Sequence, residues 1–261
     1  MTSNSADPSC REPSPMEPDP YPDLMSAGGL AAALEAVAAE LALPWGPVLV
    51  KESDPLRSAG VASEVVGRET CWVTLGSAER QFILSGWCRG VRLISGSTPD
   101  LAEMALALEG WRNGATLGEI HEAAPFVTVT ELARAHERGP ADAVAVGWRL
   151  LLEGLRRKED LFYYARSTLR IAEAAYAEPK LRRLYPFTSH RSLHFTTCVG
   201  IPYSRDVPHV DPLSDGRYRV YAPSRRSVIG EAHTPEAAVA LVVSGLPAGC
   251  GPAVAGTSGD Q

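Results

Sequence analysis

The chain has 261 residues, is 45% hydrophobic and 21% charged, and carries a formal net charge of −6. That is the composition of an ordinary globular protein, long enough for one large domain or two small ones. No apolar run reaches the ~18 residues of a membrane span; the longest, residues 30–43, is broken by Glu35 and Glu40. The opening MTSNSADPSCREPSP lacks the basic-then-apolar order of a secretory signal. Five scattered cysteines without a C-x-x-C argue against a disulfide framework or structural zinc, so a reducing cytoplasm is the expected location.

Residues 1–26 carry six prolines and read as a disordered tail. An Ala/Leu/Glu-rich helix is expected over 29–43. Short segments rich in β-branched and aromatic residues follow at 48–51, 61–66, 71–75, 81–87 and 91–94, separated by turn residues. They predict a meander of antiparallel strands. Thr98-Pro99-Asp100 then opens a helix, with Thr98 as the expected cap, Pro99 in the first turn and Asp100 at the positive dipole end. Leu101, Met104, Ala105 and Leu108 give it one apolar face.

A helix pair at 116–123 and 130–137 surrounds Pro125-Phe126, and two longer helices are expected at 141–157 and 160–177. Strands at 192–199, 218–222 and 227–231 precede Thr234-Pro235-Glu236 and an apolar helix at 237–246. Residues 248–261 read as a second disordered tail. The predicted fold is α+β: two small antiparallel sheets, each ending in a Thr-Pro-capped helix, flanking a helical middle. The expected divisions are 27–113 and 185–247 for the α+β units and 114–184 for the helical segment. The two Thr-Pro starts reflect either a degenerate duplication or one common β-to-α connection used twice. The second is favoured, because the identities are mostly Thr-Pro and alanines.

Residues 185–211, YPFTSHRSLHFTTCVGIPYSRDVPHVD, hold three of the six histidines. His190, His194 and Cys198 have even spacing, but residues four apart on a strand lie roughly 13 Å apart, too far for shared metal ligation. No metal and no cofactor is expected. Tyr203 to Asp211 reads as a polar, proline-stiffened loop facing solvent. His209 and Asp211 share a face in extended chain, where they could form a carboxylate–imidazole pair. The candidate ligand-binding residues are His190, Arg191, His194, Tyr203, Asp206, His209 and Asp211; no catalytic residue is assigned. G-x-S-x-G, G-x-G-x-x-G and G-x-x-x-x-G-K-[ST] are all absent.

Residues 149–191 hold ten Lys/Arg against five Asp/Glu. That excess serves either negative helix ends or an anionic ligand or acidic partner. Residues 116–138 could pass for a helix-turn-helix, but their arginines are matched by Glu119, Glu122, Glu131 and Glu137, so nucleic acid is not the expected partner.

The segments AAYAEPKLRRLYPFTSHRSLHFTTC, IPYSRDVPHVDP, GRYRV and GEAHTPEAAVALVVSGLP resemble a family of uncharacterised actinobacterial proteins labelled as natural-product-biosynthesis proteins. The likeness runs from about residue 111 to 247. It implies a cytoplasmic protein associated with specialised metabolism, and it brings no activity or site residues with it. A non-catalytic accessory protein that binds a partner or small molecule is the leading expectation. An enzyme using His209 and Asp211 is the alternative, and a DNA-binding regulator the weaker one.

Overall fold

A computed structural model of the chain describes residues 19–162, 164–223 and 227–260. The first strands are preceded by α1 (Pro22–Ser26) and α2 (Leu30–Glu40). Most of the expected N-terminal tail lies outside the described residues. Its described end is anchored: Tyr21 is buried and its hydroxyl accepts the Gln81 N–H at 2.8 Å.

Strands β1 (Leu49–Val50), β2 (Ser58–Val61), β3 (Cys71–Leu75), β4 (Phe82–Cys88) and β5 (Val91–Thr98) form an antiparallel meander in chain order. Helix α3 (Leu101–Arg112) packs on it, followed by α4 (Leu117–Ala123) and α5 (Glu131–Arg138). Gly139 ends α5 at φ +132°, a conformation that favours glycine, and Pro140 occupies the first turn of α6 (Pro140–Lys158). After α7 (Ala165–Ala177), a second meander runs through β6 (Tyr185–Ser189), β7 (Ser192–Thr196), β8 (His209–Pro212), β9 (Tyr218–Tyr221) and β10 (Val228–Ala232). Helix α8 (Pro235–Ser244) closes it. The α+β architecture with helices between two antiparallel sheets is therefore as expected.

The helical middle does not form a layer of its own. Leu117, Ile120 and Ala133 bury into a first core with Phe82, Leu84, Met104 and Trp111. Trp148, Leu152, Leu169 and Ile171 join a second with Leu193, Phe195, Val210 and Val220. The divide falls at the Gly139-Pro140 turn, because α4 and α5 turn their apolar faces back to the first sheet while α6 and α7 turn theirs to the second.

The two Thr-Pro starts also differ. Thr234 caps α8 by accepting the Ala237 N–H, as expected. In α3 the cap is Asp100, which accepts from Ala102 and Glu103, while Thr98 remains the last residue of β5. Thr98 hydroxyl bonds instead to Glu103 Oε2 at 2.7 Å.

Residues 248–260, expected to be loose, lie against the second unit. Ala253 is buried and donates to Arg183 O at 2.9 Å. Val254 bridges Cys198 in parallel fashion, and Gly256 O accepts the Gly200 N–H at 2.7 Å. Ile201 N–H reaches Arg89 O at 2.9 Å, tying the second unit to the first sheet.

Candidate functional site

The outer face of the second sheet is built by cross-strand register. Phe187 on β6 pairs with His194 on β7, and His209 on β8 pairs with Tyr221 on β9. The Leu193–Val210 pairing sets His194 beside His209. One lateral row therefore presents four rings on four adjacent strands. Their centroids are 4.9, 4.5 and 5.1 Å apart, with interplanar angles of 15°, 17° and 11°. That spacing is the distance between neighbouring strands, roughly 4.8 Å, so the sheet itself holds the rings in stacking contact. Tyr203 extends the row by stacking on Phe187 at 4.5 Å.

Both imidazoles are 6% exposed, so the Tyr203–Asp211 stretch is not the solvent-facing loop expected. Ser204, Val207 and His209 are buried. His209 opens a strand, and Ser204 is pulled inward by the Thr197 N–H at 2.9 Å and by Thr196 Oγ1 at 2.8 Å.

Two clefts flank the rings. One, of about 340 Å³, is lined by Ser189, His190, Arg191, Ser192, His194, His209, Asp211 and Tyr221. The other, of about 370 Å³, includes Phe187, Tyr203 and Arg205 and shares Ser189, His194 and His209 with the first. The histidines thus form the ridge between them.

Five of the seven candidates (His190, Arg191, His194, His209 and Asp211) meet in the first cleft. His190 sits at the β6–β7 hairpin with φ +57°, in the left-handed region. Tyr203 belongs to the second cleft, where burial pushes its phenol up, reinforced by the neighbouring Tyr185 phenol. It stays a neutral donor. Asp206 is elsewhere: Thr197 Oγ1 donates to its Oδ2 at 2.9 Å, beside a cleft formed with the Pro247–Pro252 loop. The candidate set had omitted Phe187 and Tyr221. Their parity on separate strands was readable, but their adjacency to the histidines depends on register.

Asp211 gives the cleft its chemical character. Its register neighbour Arg219 donates to Glu231 Oε1 at 2.8 Å, and Arg217 also bonds Glu231. With that arginine engaged, Asp211 Oδ1 is buried and lacks a hydrogen-bond partner among the described residues. It lies 3.9 Å from His209 Nε2, beyond hydrogen-bond reach. Among the described residues, no three His, Cys, Asp or Glu side chains group as metal ligands would.

Of the ten cations in 149–191, Arg191 is the one that lines either cleft among the described residues. Arg149 pairs with Glu131 and Glu153, Arg156 with Glu173, and Arg166 with Glu159 and Asp160. In the 116–138 segment, Glu131 is the partner of Arg149, and Arg138 bonds Asp142 at 3.0 Å. Among the described residues, no helix is long and apolar enough to cross a membrane.

The second core, the ring row and the closing segment fall within a stretch that matches a family model. Residues 142–257 match a family of unknown function, DUF6193. The DUF6193 match begins two residues into α6 and ends just beyond Gly256, so it takes in both clefts and leaves the whole first unit outside. No curated protein and no solved structure matches the chain.

Proposed function

We propose that this protein is a non-catalytic accessory protein that binds a small polar molecule in the His190–Asp211–Tyr221 cleft. The carrying observation is Asp211 Oδ1, a buried acceptor without a hydrogen-bond partner among the described residues. Leaving such a group unpaired costs about 1–3 kcal/mol, which a ligand donor seated there recovers. Arg191 and His190 line the same cleft and suit an anionic or carbonyl group on that ligand. The rigid row of rings supplies a wall that need not reorganise on binding.

The enzymatic alternative uses His209 as a base held by Asp211. Their 3.9 Å separation is longer than the roughly 2.6–3.2 Å such a pair uses, which favours binding over catalysis. The DNA-binding alternative has less support, since Arg138 and Glu131 are engaged within the chain. A cytoplasmic setting rests on the scattered cysteines, and a role in specialised metabolism on the sequence resemblance.

The test is a ligand-observed NMR screen of amino acids, small dicarboxylates and sugar phosphates against wild type, Asp211→Asn and Arg191→Gln. At least one class should bind wild type and lose about tenfold or more in affinity to Asp211→Asn, with no drop in melting temperature. Binding that ignores both substitutions, or no binding by any class, would overturn the proposal.

A further inference from the structure

A separate cavity, of about 230 Å³, lies at the seam between the two units and away from the ring row. Its apolar walls come from both sides: Val65, Val91 and Leu93 from the first unit and Val199 from the second. Besides the Cys88 thiol, four polar side chains line it, Arg68, Arg89, His136 and Glu137. Arg68 is already engaged. Its donors reach Trp111 O at 3.2 Å and Ala115 O at 2.8 Å, its guanidinium lies 4.8 Å from the Trp111 ring, and Glu137 is 3.9 Å away. Arg68 is therefore committed within the chain, and the Glu137 carboxylate in the same lining opposes an anionic occupant. His136 differs: its Nε2 is buried with no hydrogen-bond partner among the described residues, while its ring rests 6.1 Å from that of Tyr185.

We propose that the seam cavity binds a small apolar molecule bearing one hydroxyl, such as a monocyclic phenol, with the hydroxyl on His136 Nε2. The volume is below the roughly 300–1,000 Å³ of sites for drug-sized ligands, yet above the roughly 150 Å³ at which a dry cavity admits benzene. A hydroxyl both donates and accepts, so it satisfies the imidazole nitrogen in either neutral tautomer. Burial lowers the proton affinity of His136, which keeps that ring neutral. Because walls from both units would contact the occupant, binding clamps one unit to the other.

The experiment compares 4-ethylphenol with ethylbenzene, by calorimetry and by chemical-shift mapping on the full chain. The phenol should bind about tenfold more tightly, the scale of one net hydrogen bond to a buried group. Shifts should centre on Val91, Leu93 and Val199. His136→Leu should bring the two compounds to parity, and Val91→Phe and Leu93→Trp should each abolish binding while the protein still melts cooperatively. Absence of saturable binding, equal affinity of the two compounds for wild type, shifts confined to other surfaces, or full binding by a filled variant would each overturn the proposal. This site is separate from the ring-row cleft, and neither result bears on the other.

Discussion

The first sheet presents Trp72, Ile83, Ser85 and Trp87 on its outer face, and the second presents Phe187, His194, His209 and Tyr221. Both sheets are five-stranded antiparallel meanders. In the first, a ring faces a small residue: Trp72 pairs with Ser85, and Trp87 Nε1 donates to Ser85 Oγ at 2.6 Å. Its tryptophans stay partly exposed, and Arg92 covers Trp87 at 5.9 Å. In the second, every strand from β6 to β9 places a ring on the same lateral line, so the rings stack and shield one another. Topology is shared. What separates a plain face from a cleft-bearing one is which residues the register sets side by side.

The sharpest way to break this two-unit picture is through its central tryptophans. Trp111 is fully buried in the first core and donates to Glu69 O at 3.0 Å. Trp148 is fully buried in the second and donates to Leu184 O at 3.0 Å. Each Trp→Ala change should cost about 3–5 kcal/mol. If the cores are separate cooperative units, denaturant melts of Trp148→Ala should become biphasic, with the first core melting near its wild-type midpoint. A single shared transition in both variants would refute the division.

A smaller effect tests whether the two Thr-Pro motifs are equivalent. Asp100→Ala should cost about 1 kcal/mol, because it removes the cap of α3. Glu236→Ala, at the aligned position, should fall within about 0.5 kcal/mol of wild type, because Thr234 caps α8. Equal losses in urea melts would restore the duplication reading that the two-residue offset weakens.

The gentlest test is by pH at the seam. Burial holds His136 below the ordinary imidazole value near 6.5. Between its folded value and that of the unfolded chain, the unfolded state binds more protons, so stability falls as pH drops through 6.5 and levels off below the folded value. Arg68, Arg89, Glu137 and Cys88 line the same cavity, and Tyr185 packs on the ring. His136→Gln should flatten the melting-temperature profile between pH 6.5 and 5; an unchanged slope would show that His136 does not cause it.

Much of the fold was legible because the elements concerned declare their period. Residues 71–75 alternate cleanly, and 71–75 is the observed strand. Helix α6 repeats apolar residues at helical spacing. Strand β6 was missed because Pro186 is its second residue, which argues against a strand unless it lies at an edge, as β6 does. Strand β8 is four residues long, between Pro208 and its own Pro212, and reads as loop from sequence alone. The helices at 116–138 and 140–177 carry similar apolar patterns, and a pattern does not say which sheet it will cover. At the candidate site, residues 185–211 stood out by side-chain chemistry. Tyr221 did not, because its place in the row depends on strand pairing, and Asp206 was included although its strand-end turn carries it to another surface.

The strip from Ala253 to Gly256 has a consequence for how the molecule comes together. Everything that fills the first core precedes Gly139, so that half can condense as soon as it leaves the ribosome. The wall that Gly256 lends to the seam arrives more than a hundred residues later. A chain caught between those moments would already hold one finished half, while the gap between the halves still lay open along one side.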